Sequence, residues 1–249
     1  MANKFFCRNI SVDLLQYPSK RSNICSQIIY GEEFKILSKK RGYLKIQNLY
    51  DGYVGFVKSI NYFDKFKPSH KVIVLKSKIF TVKKKRIKSS QKFLPFSSKI
   101  EILKKNKRLA MFEKNKWIKL KDIDDDNKKF NNFTKVFKFF LNCPYKWGGM
   151  TFKGIDCSGL IQIFFKINNK IFPRDTIDQI KFKKGVKISN NFKKGNIIFW
   201  KGHVAVCIDN KNLIHAYGPK KKVVKMPIEK TIKVIKDTAG LRIKKIFSI

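Results

Sequence analysis

Residues 1 to about 66 carry short apolar or alternating runs, "SVDLLQYPSK", "SQIIYGEEFKILSKKRGYLKIQN" and "DGYVGFVKSI", each broken by Gly, Pro or Asn-Asp chemistry. Strand-like runs of about five residues with such punctuation predict a small antiparallel barrel. Residues 70 to about 123 repeat the pattern, from "HKVIVLKSKIFTVKKK" through "LPFSSKIEILKKNKRLAMFEKNKWIKLKDI". The likeness of "YGEEFKILSKKRGYLKIQN" to "LPFSSKIEILKKNKRLAMFEKNKWIKL" points to a divergent tandem repeat. "DIDDDNKK" at 122–129, acidic and polar in a basic chain, is the expected linker. Beyond it the period changes. Phe130, Phe133, Val136, Phe137, Phe140 and Leu141 share one face of a helix that "CPYKWGG" ends, and Leu160, Ile163, Phe164 and Ile167 predict a second helix beginning at Cys157. "GNIIFW", "HVAVCID" and "NLIHAYG" then read as three strands, so the third segment, 130–249, is expected to be α+β.

Charge is the loudest feature of the composition: 57 Lys and Arg against 17 Asp and Glu give a net charge of +40 in 249 residues. Only seven of those cations are arginine, however, and the lysines are spread over the whole length. Base and phosphate recognition favours arginine's planar fork. Frequent Lys, Asn, Ile and Phe with rare Ala fits the codon bias of an A+T-rich genome, so no specific nucleic-acid partner is expected, only a weak, salt-sensitive attraction to anionic polymers. Five cysteines, an odd number without a C-x-x-C pair, argue against a disulfide framework and a zinc site and suit a reducing compartment. The N-terminal stretch lacks the apolar run of a secretory signal, and no segment approaches the ~20 apolar residues of a membrane span. A cytoplasmic protein without a membrane span is therefore expected.

The segment "GIDCSGLIQIFF" at 154–165 carries the candidate chemistry. A thiol on the first turn of a helix meets unsatisfied backbone N–H groups and the positive end of the helix dipole, and a cysteine so placed can have its pKa drawn down to roughly 3.5–7.5. Glycines at 148, 149, 154 and 159 are expected to let a substrate backbone approach. A base is also needed, and the chain has three histidines: His70 between the barrel-like segments, and His203 and His215 in the C-terminal strands. If the loop of "HVAVCIDNKNLIH" is Asp209 to Lys211, residue 208 pairs with 212 and both imidazoles emerge on one face as diagonal neighbours at roughly 7–8 Å. A two-residue loop would put them on opposite faces. In that triad His203 is the general base and His215 orients it. On spacing alone Cys157 is either a structural thiol at a helix start or a nucleophile, and both readings stand; Cys7, Cys25, Cys143 and Cys207 have no base at a suggestive spacing.

"PYKWGGMTFKGIDCSGLIQ", "PRDTIDQ" and "GNIIFWKGHVAVCIDNKNLIHA" together resemble the NlpC/P60 family of papain-like cysteine peptidases across residues 130–249. The resemblance implies Cys157 as nucleophile, His203 as base and His215 as third member, on an α+β papain-like fold. The segments 1–66 and 70–123 look like the paired bacterial SH3-type β-barrels of the family's γ-D-glutamyl-diamino-acid endopeptidases, the dipeptidyl-peptidase VI type. Carried over by position, Asp156 and Ser158 would line the pocket for the substrate's amino end with Tyr145 near the thiol. Tyr53, with Asp13 as the weaker companion, would close it. Tyr53 has a second reading as a barrel-core aromatic. Asn196 stands where the family often has Asp, which touches a local turn and not the triad. The implied activity is hydrolysis of the γ-D-glutamyl to diamino-acid bond in murein stem peptides with a free L-alanine amine, in peptide recycling, with no cofactor and no metal. Alternatives are an acyltransferase or amidase on the same triad, or a non-catalytic SH3-type binding protein.

Overall fold

The computed structural model describes residues 4–83, 86–186 and 191–249. Residues 1–3 of the N-terminal stretch and 84–85 at the end of the 70–85 run lie outside them. The chain divides into two compact units, one of Met1–Lys129 with Met150–Phe152 and Ile167–Asn169, the other of Phe130–Gly149, Lys153–Lys166 and Lys170–Ile249.

In the first unit, seven strands (Lys4–Cys7, Ser11–Leu15, Ile24–Ile29, Glu33–Lys40, Tyr43–Asn48, Val54–Val57 and Tyr62–Phe63) form one antiparallel sheet in the order third, second, sixth, fifth, fourth, first, seventh. The second barrel-like segment contributes a five-stranded and a three-stranded sheet. The tandem repeat is legible in the backbone. Cys7 N donates to Glu32 O (2.8 Å) as Val72 N does to Ser98 O (2.9 Å), and Gly31 N donates to Cys7 O (2.8 Å) as Ser97 N does to Val72 O (2.9 Å). Gly31 and Ser97 both adopt positive φ, 81° and 69°. Glycine is required at 31 for a further reason: a Cβ there would lie 2.0 Å from Lys99 O.

Two expectations are corrected in this unit. "DIDDDNKK" is no linker, because Ile123–Asp125 is a strand paired with His70–Val72 and Asp126 accepts from Lys99 Nζ (3.0 Å). The stretch is also held through its backbone: Lys71, 2% exposed, donates to the Asp126 carbonyl oxygen at 2.7 Å. Nor are the two segments separate in their cores. Tyr30 and Phe66 from the first are buried with Val72, Ile79, Leu94 and Phe112 from the second. A small sheet buries too little surface to stand alone comfortably, and sharing an aromatic core offsets that. The buried Glu113 accepts from Arg8 (2.8 Å), Lys116 and Tyr30 Oη (3.3 Å), tying the same seam with charge-assisted bonds.

In the second unit, helix α1 (Phe133–Phe139) is capped by Asn132, whose side chain accepts from Lys135 N. Phe133 and Phe137 of α1 pack on Phe164 of helix α2 (Cys157–Ile167), with ring centroids 6.1 and 6.0 Å apart, along the apolar face that the periodicity predicts. Helix α3 (Thr176–Gln179) follows. The sheet has five antiparallel strands in the order Lys222–Pro227, Asn212–Tyr217, His203–Cys207, Asn196–Trp200, Lys245–Ser248. Its first and last strands, and helix α4 (Ile228–Ala239), were not anticipated. The lysine-dense "KKKVVKMP" and "RIKKIFSI" mask their apolar positions. Ile198, Trp200, Ala205, Cys207, Leu213, Ile235 and Ile246 form the core under this sheet.

Candidate active site

Helix α2 starts at Cys157 because Asp156 caps it, its Oδ1 accepting from Gly159 N at 2.7 Å. The cap is itself locked. Arg174 holds the carboxylate with two parallel bonds, Nη1 to Oδ1 at 3.0 Å and Nη2 to Oδ2 at 2.7 Å, while Gly148 N donates to Oδ2 at 2.8 Å. Ser158 Oγ donates to Asp156 Oδ1 (3.2 Å) and accepts from Arg174 Nη1 (2.8 Å), and Gln179 Nε2 donates to Ser158 O at 2.9 Å. Asp156, Ser158 and Arg174 are all buried.

Asp156, expected to line the pocket for the substrate's amino end, also has a structural duty: its charge is matched by Arg174 and both its oxygens accept hydrogen bonds. Sequence reasoning also left Arg174 and Gln179 without a role, although both lie in "PRDTIDQ". One of seven arginines among 57 cations gives no signal until the fold brings it to the acid. The glycines are likewise reassigned in part. A Cβ on Gly149 would lie 2.4 Å from Gly154 O and one on Gly154 would lie 2.4 Å from Lys146 Cβ, so these two serve a tight turn rather than substrate approach.

The hairpin has the odd loop that the spacing required. Val206 pairs with Ile214 and Cys207 with Leu213, which sets Ile208 opposite Asn212 and leaves Asp209 to Lys211 as the loop. Asp209 Oδ1 accepts from Lys211 N (2.8 Å) and Asn212 N (2.6 Å), an Asx turn that makes three residues suffice. His203 and His215 therefore share a face, and they are closer than diagonal spacing alone suggests: His203 Nε2 lies 2.9 Å from His215 Nδ1. Tyr217 stacks on His215 with centroids 4.7 Å apart at 15°, and Trp200 lies 5.7 Å from His203, so both imidazole planes are fixed.

The strand that carries His203 also touches the thiol. The backbone N–H of Val204, one residue on, and that of Ser158 both act on Cys157 in the direction that favours its thiolate. Tyr145 is half-buried beside this thiol; burial raises its hydroxyl pKa, and the charges of Cys157 and Asp156 raise it further. One unit thus brings together Cys157, His203, His215, Tyr145, Asp156 and Ser158. Tyr53 and Asp13 belong to the other unit, where Tyr53 packs against a core cluster and Asp13 Oδ1 accepts from Gln27 Nε2 at 2.6 Å. His70 lies there too, its Nδ1 2.9 Å from Ser69 Oγ. Asn196, where the family often has Asp, takes up the local turn by accepting from Lys193 N (2.7 Å) and donating to Ser248 Oγ (2.8 Å). Among the described residues, no group of three or more His, Cys, Asp or Glu side chains converges as metal ligands would, and no helix is long and apolar enough to cross a membrane.

The electrostatics run against the dipole argument. Burial pushes the Cys157 thiol up to about 12, with Asp156 adding to it, while the Val204 N–H, Arg174 and Ser158 N–H oppose it less strongly. Burial likewise pushes His203 down to about 4. Sequence reasoning counted the helix terminus and omitted desolvation, which dominates for a thiol 5% exposed. Burial thus favours the uncharged form of each group. Alkylation of Cys157 is accordingly expected to rise with pH through a midpoint above the ordinary value of about 8.5. Since the base must be neutral, kcat/KM is expected to hold on the acid side down to about pH 4, where His203 becomes protonated. An acid limb near 6.5, the ordinary imidazole value of about 6.5, would contradict this.

Residues 142–238 match the NlpC/P60 family, and residues 14–60 match the bacterial dipeptidyl-peptidase Sh3 domain. The chain is 35% identical over 102 residues to the gamma-D-glutamyl-L-lysine dipeptidyl-peptidase of Bacillus subtilis, covering 38% of this chain and 34% of that protein. It is 36% identical over 78 residues to the murein DD-endopeptidase MepS/murein LD-carboxypeptidase of Escherichia coli, covering 29% of this chain and 41% of that one. The matches therefore span about a third to two fifths of these relatives. The fold extends further: a crystal structure of an NlpC/P60 family protein from Bacillus cereus superposes with a TM-score of 0.79 at 19% identity, over 96% of this chain and 98% of that one.

Proposed function

We propose that this chain, a member of the NlpC/P60 peptidase family through residues 142–238 with a bacterial dipeptidyl-peptidase SH3 domain before it, is a cysteine peptidase that cleaves the γ-D-glutamyl to diamino-acid bond of peptidoglycan stem peptides. The single observation that carries the reading is the 2.9 Å contact of His203 Nε2 with His215 Nδ1, in the same unit as a buried thiol at the start of α2. In this mechanism His203 Nδ1 takes the Cys157 proton as sulfur attacks the γ-carbonyl carbon. Backbone N–H groups at the start of α2 stabilise the oxyanion. The C–N bond breaks, His203 returns its proton to the departing amine, and a thioester is left on Cys157. Water, deprotonated by His203, then releases the glutamyl carboxylate and restores the thiol.

The bond is inferred from the Bacillus subtilis relative, a gamma-D-glutamyl-L-lysine dipeptidyl-peptidase. The same inference extends to a free L-alanine amine at the substrate's end, read by oxygen acceptors such as Tyr145 and the Ser158 hydroxyl beside the nucleophile. Soluble recycled peptides carry that amine, and five free cysteines suit the reducing compartment where such peptides are met. Digestion of L-Ala-γ-D-Glu-diamino-acid peptides, followed by mass spectrometry, is expected to yield L-Ala-D-Glu. A substrate with a blocked alanine amine should lose at least about tenfold in kcat/KM, the cost of one unpaired polar group. Equal kcat/KM would remove the free-amine requirement; cleavage only at D-alanyl cross-links would replace the proposed bond.

A further inference from the structure

The register of the sheet places a thioether against the third member of the triad. Leu213 pairs with Met226 and His215 with Val224, so His215 and Met226 are diagonal neighbours on one face. Their side chains meet: His215 Nε2 lies 3.4 Å from Met226 Sδ, with His215 fully buried and Met226 6% exposed. We infer that Met226 is a positioning residue for the reaction, its sulfur accepting the His215 Nε2–H and thereby setting the protons of both imidazoles so that His203 Nδ1 is left as the base. The inference rests on the proposed role of His203.

The argument is one of proton counting. A thioether sulfur accepts weakly and cannot donate, so the nitrogen facing it carries the hydrogen. A neutral imidazole with Nε2–H has a lone pair on Nδ1. The 2.9 Å bond between His215 Nδ1 and His203 Nε2 then requires the hydrogen to be on His203 Nε2. The remaining His203 nitrogen, Nδ1, is consequently an acceptor. The opposite arrangement would place a hydrogen on His203 Nδ1 and leave nothing to take the Cys157 proton. Sulfur suits this position because it is uncharged. A carboxylate there would draw His215 toward the cation, and an imidazolium presents N–H at both nitrogens. Burial, with the charges of His203 and Lys220, disfavours the protonated form of His215, and Tyr217 stacks on its ring.

The test uses the full chain labelled with ¹⁵N-histidine, in which only three side chains give signals. The wild-type spectrum is expected to show the Nε2–H tautomer for both His203 and His215. Met226→Leu keeps the volume and removes the acceptor. It should move the His215 signals toward the Nδ1–H or a mixed tautomer and lower kcat by about tenfold to a hundredfold, the cost of one unsatisfied buried donor, with KM within about twofold. Met226→Gln, which restores an acceptor of similar reach, should recover most of kcat. A wild-type His203 carrying its hydrogen on Nδ1 overturns the inference without any variant. Unchanged tautomers or an unchanged kcat in Met226→Leu overturn it as well. Loss of the peptidase assignment would appear separately, as hydrolysis that survives without the Cys157 thiol.

Discussion

Cys157→Ser is expected to lower hydrolysis of a stem-peptide substrate by about 10⁴-fold or more, with no loss of fold. Removing the nucleophile of a three-residue catalytic unit costs as much as removing the whole unit, which sets the scale. Serine is the informative replacement because it differs by one atom and leaves the Asp156 cap at the start of α2 in place. A hydroxyl is far less acidic than a thiol and is not activated by an imidazole whose protonated form burial disfavours. Cys143→Ala serves as the control, since that thiol sits past the end of α1 and has no part in the mechanism. Peptide digestion followed by mass spectrometry, with circular dichroism to verify folding, gives the measurement. Substantial turnover by the folded serine variant would end the cysteine peptidase assignment.

Arg174→Met is expected to destabilise the unit that carries the site by about 3–5 kcal/mol, the range for removing one partner of a buried ion pair. The side chains of Arg174 and Asp156 are 1% and 7% exposed, so the carboxylate left behind has no water to compensate it. The loss should be larger than that of any surface substitution, because the same carboxylate caps α2 and holds Gly148 N. Adding Asp156→Asn should recover part of it by removing the orphaned charge. Arg174→Lys should rescue poorly, since a lysine cannot supply two parallel bonds. Urea unfolding followed by tryptophan fluorescence reads this out. A loss below about 1 kcal/mol, the range of exposed pairs, would show the bridge to be incidental.

The local pattern carried the elements of the site. Apolar spacing put the start of α2 at Cys157, and the odd loop at Asp209 to Lys211 followed from requiring both histidines on one face. These features are short-range: a helix period and a hairpin count are decided by residues within about one helical turn or one loop, and sequence displays them directly. The tandem repeat of the first unit was legible for the same reason, since Gly31 and Ser97 mark one turn used twice.

What sequence could not decide is what burial does to charge and which distant groups meet. Nothing in the sequence pairs Asp156 with Arg174, 18 positions along the chain, yet the fold brings them together. "DIDDDNKK" looked like a linker until Lys71 and Lys99 arrived at Asp126 from more than 25 residues away. The helix start was expected to draw the Cys157 pKa down, and burial raises it instead and lowers that of His203, because desolvation depends on how completely the surrounding chain closes over a group. Met226 has no motif at all. Its contact with His215 depends on how the next strand aligns, and pairing register is a property of the assembled sheet. Sequence alone thus determined the helix start, the loop and the reactive residue types, whereas tertiary structure decided their protonation, their partners and the direction in which a proton can move.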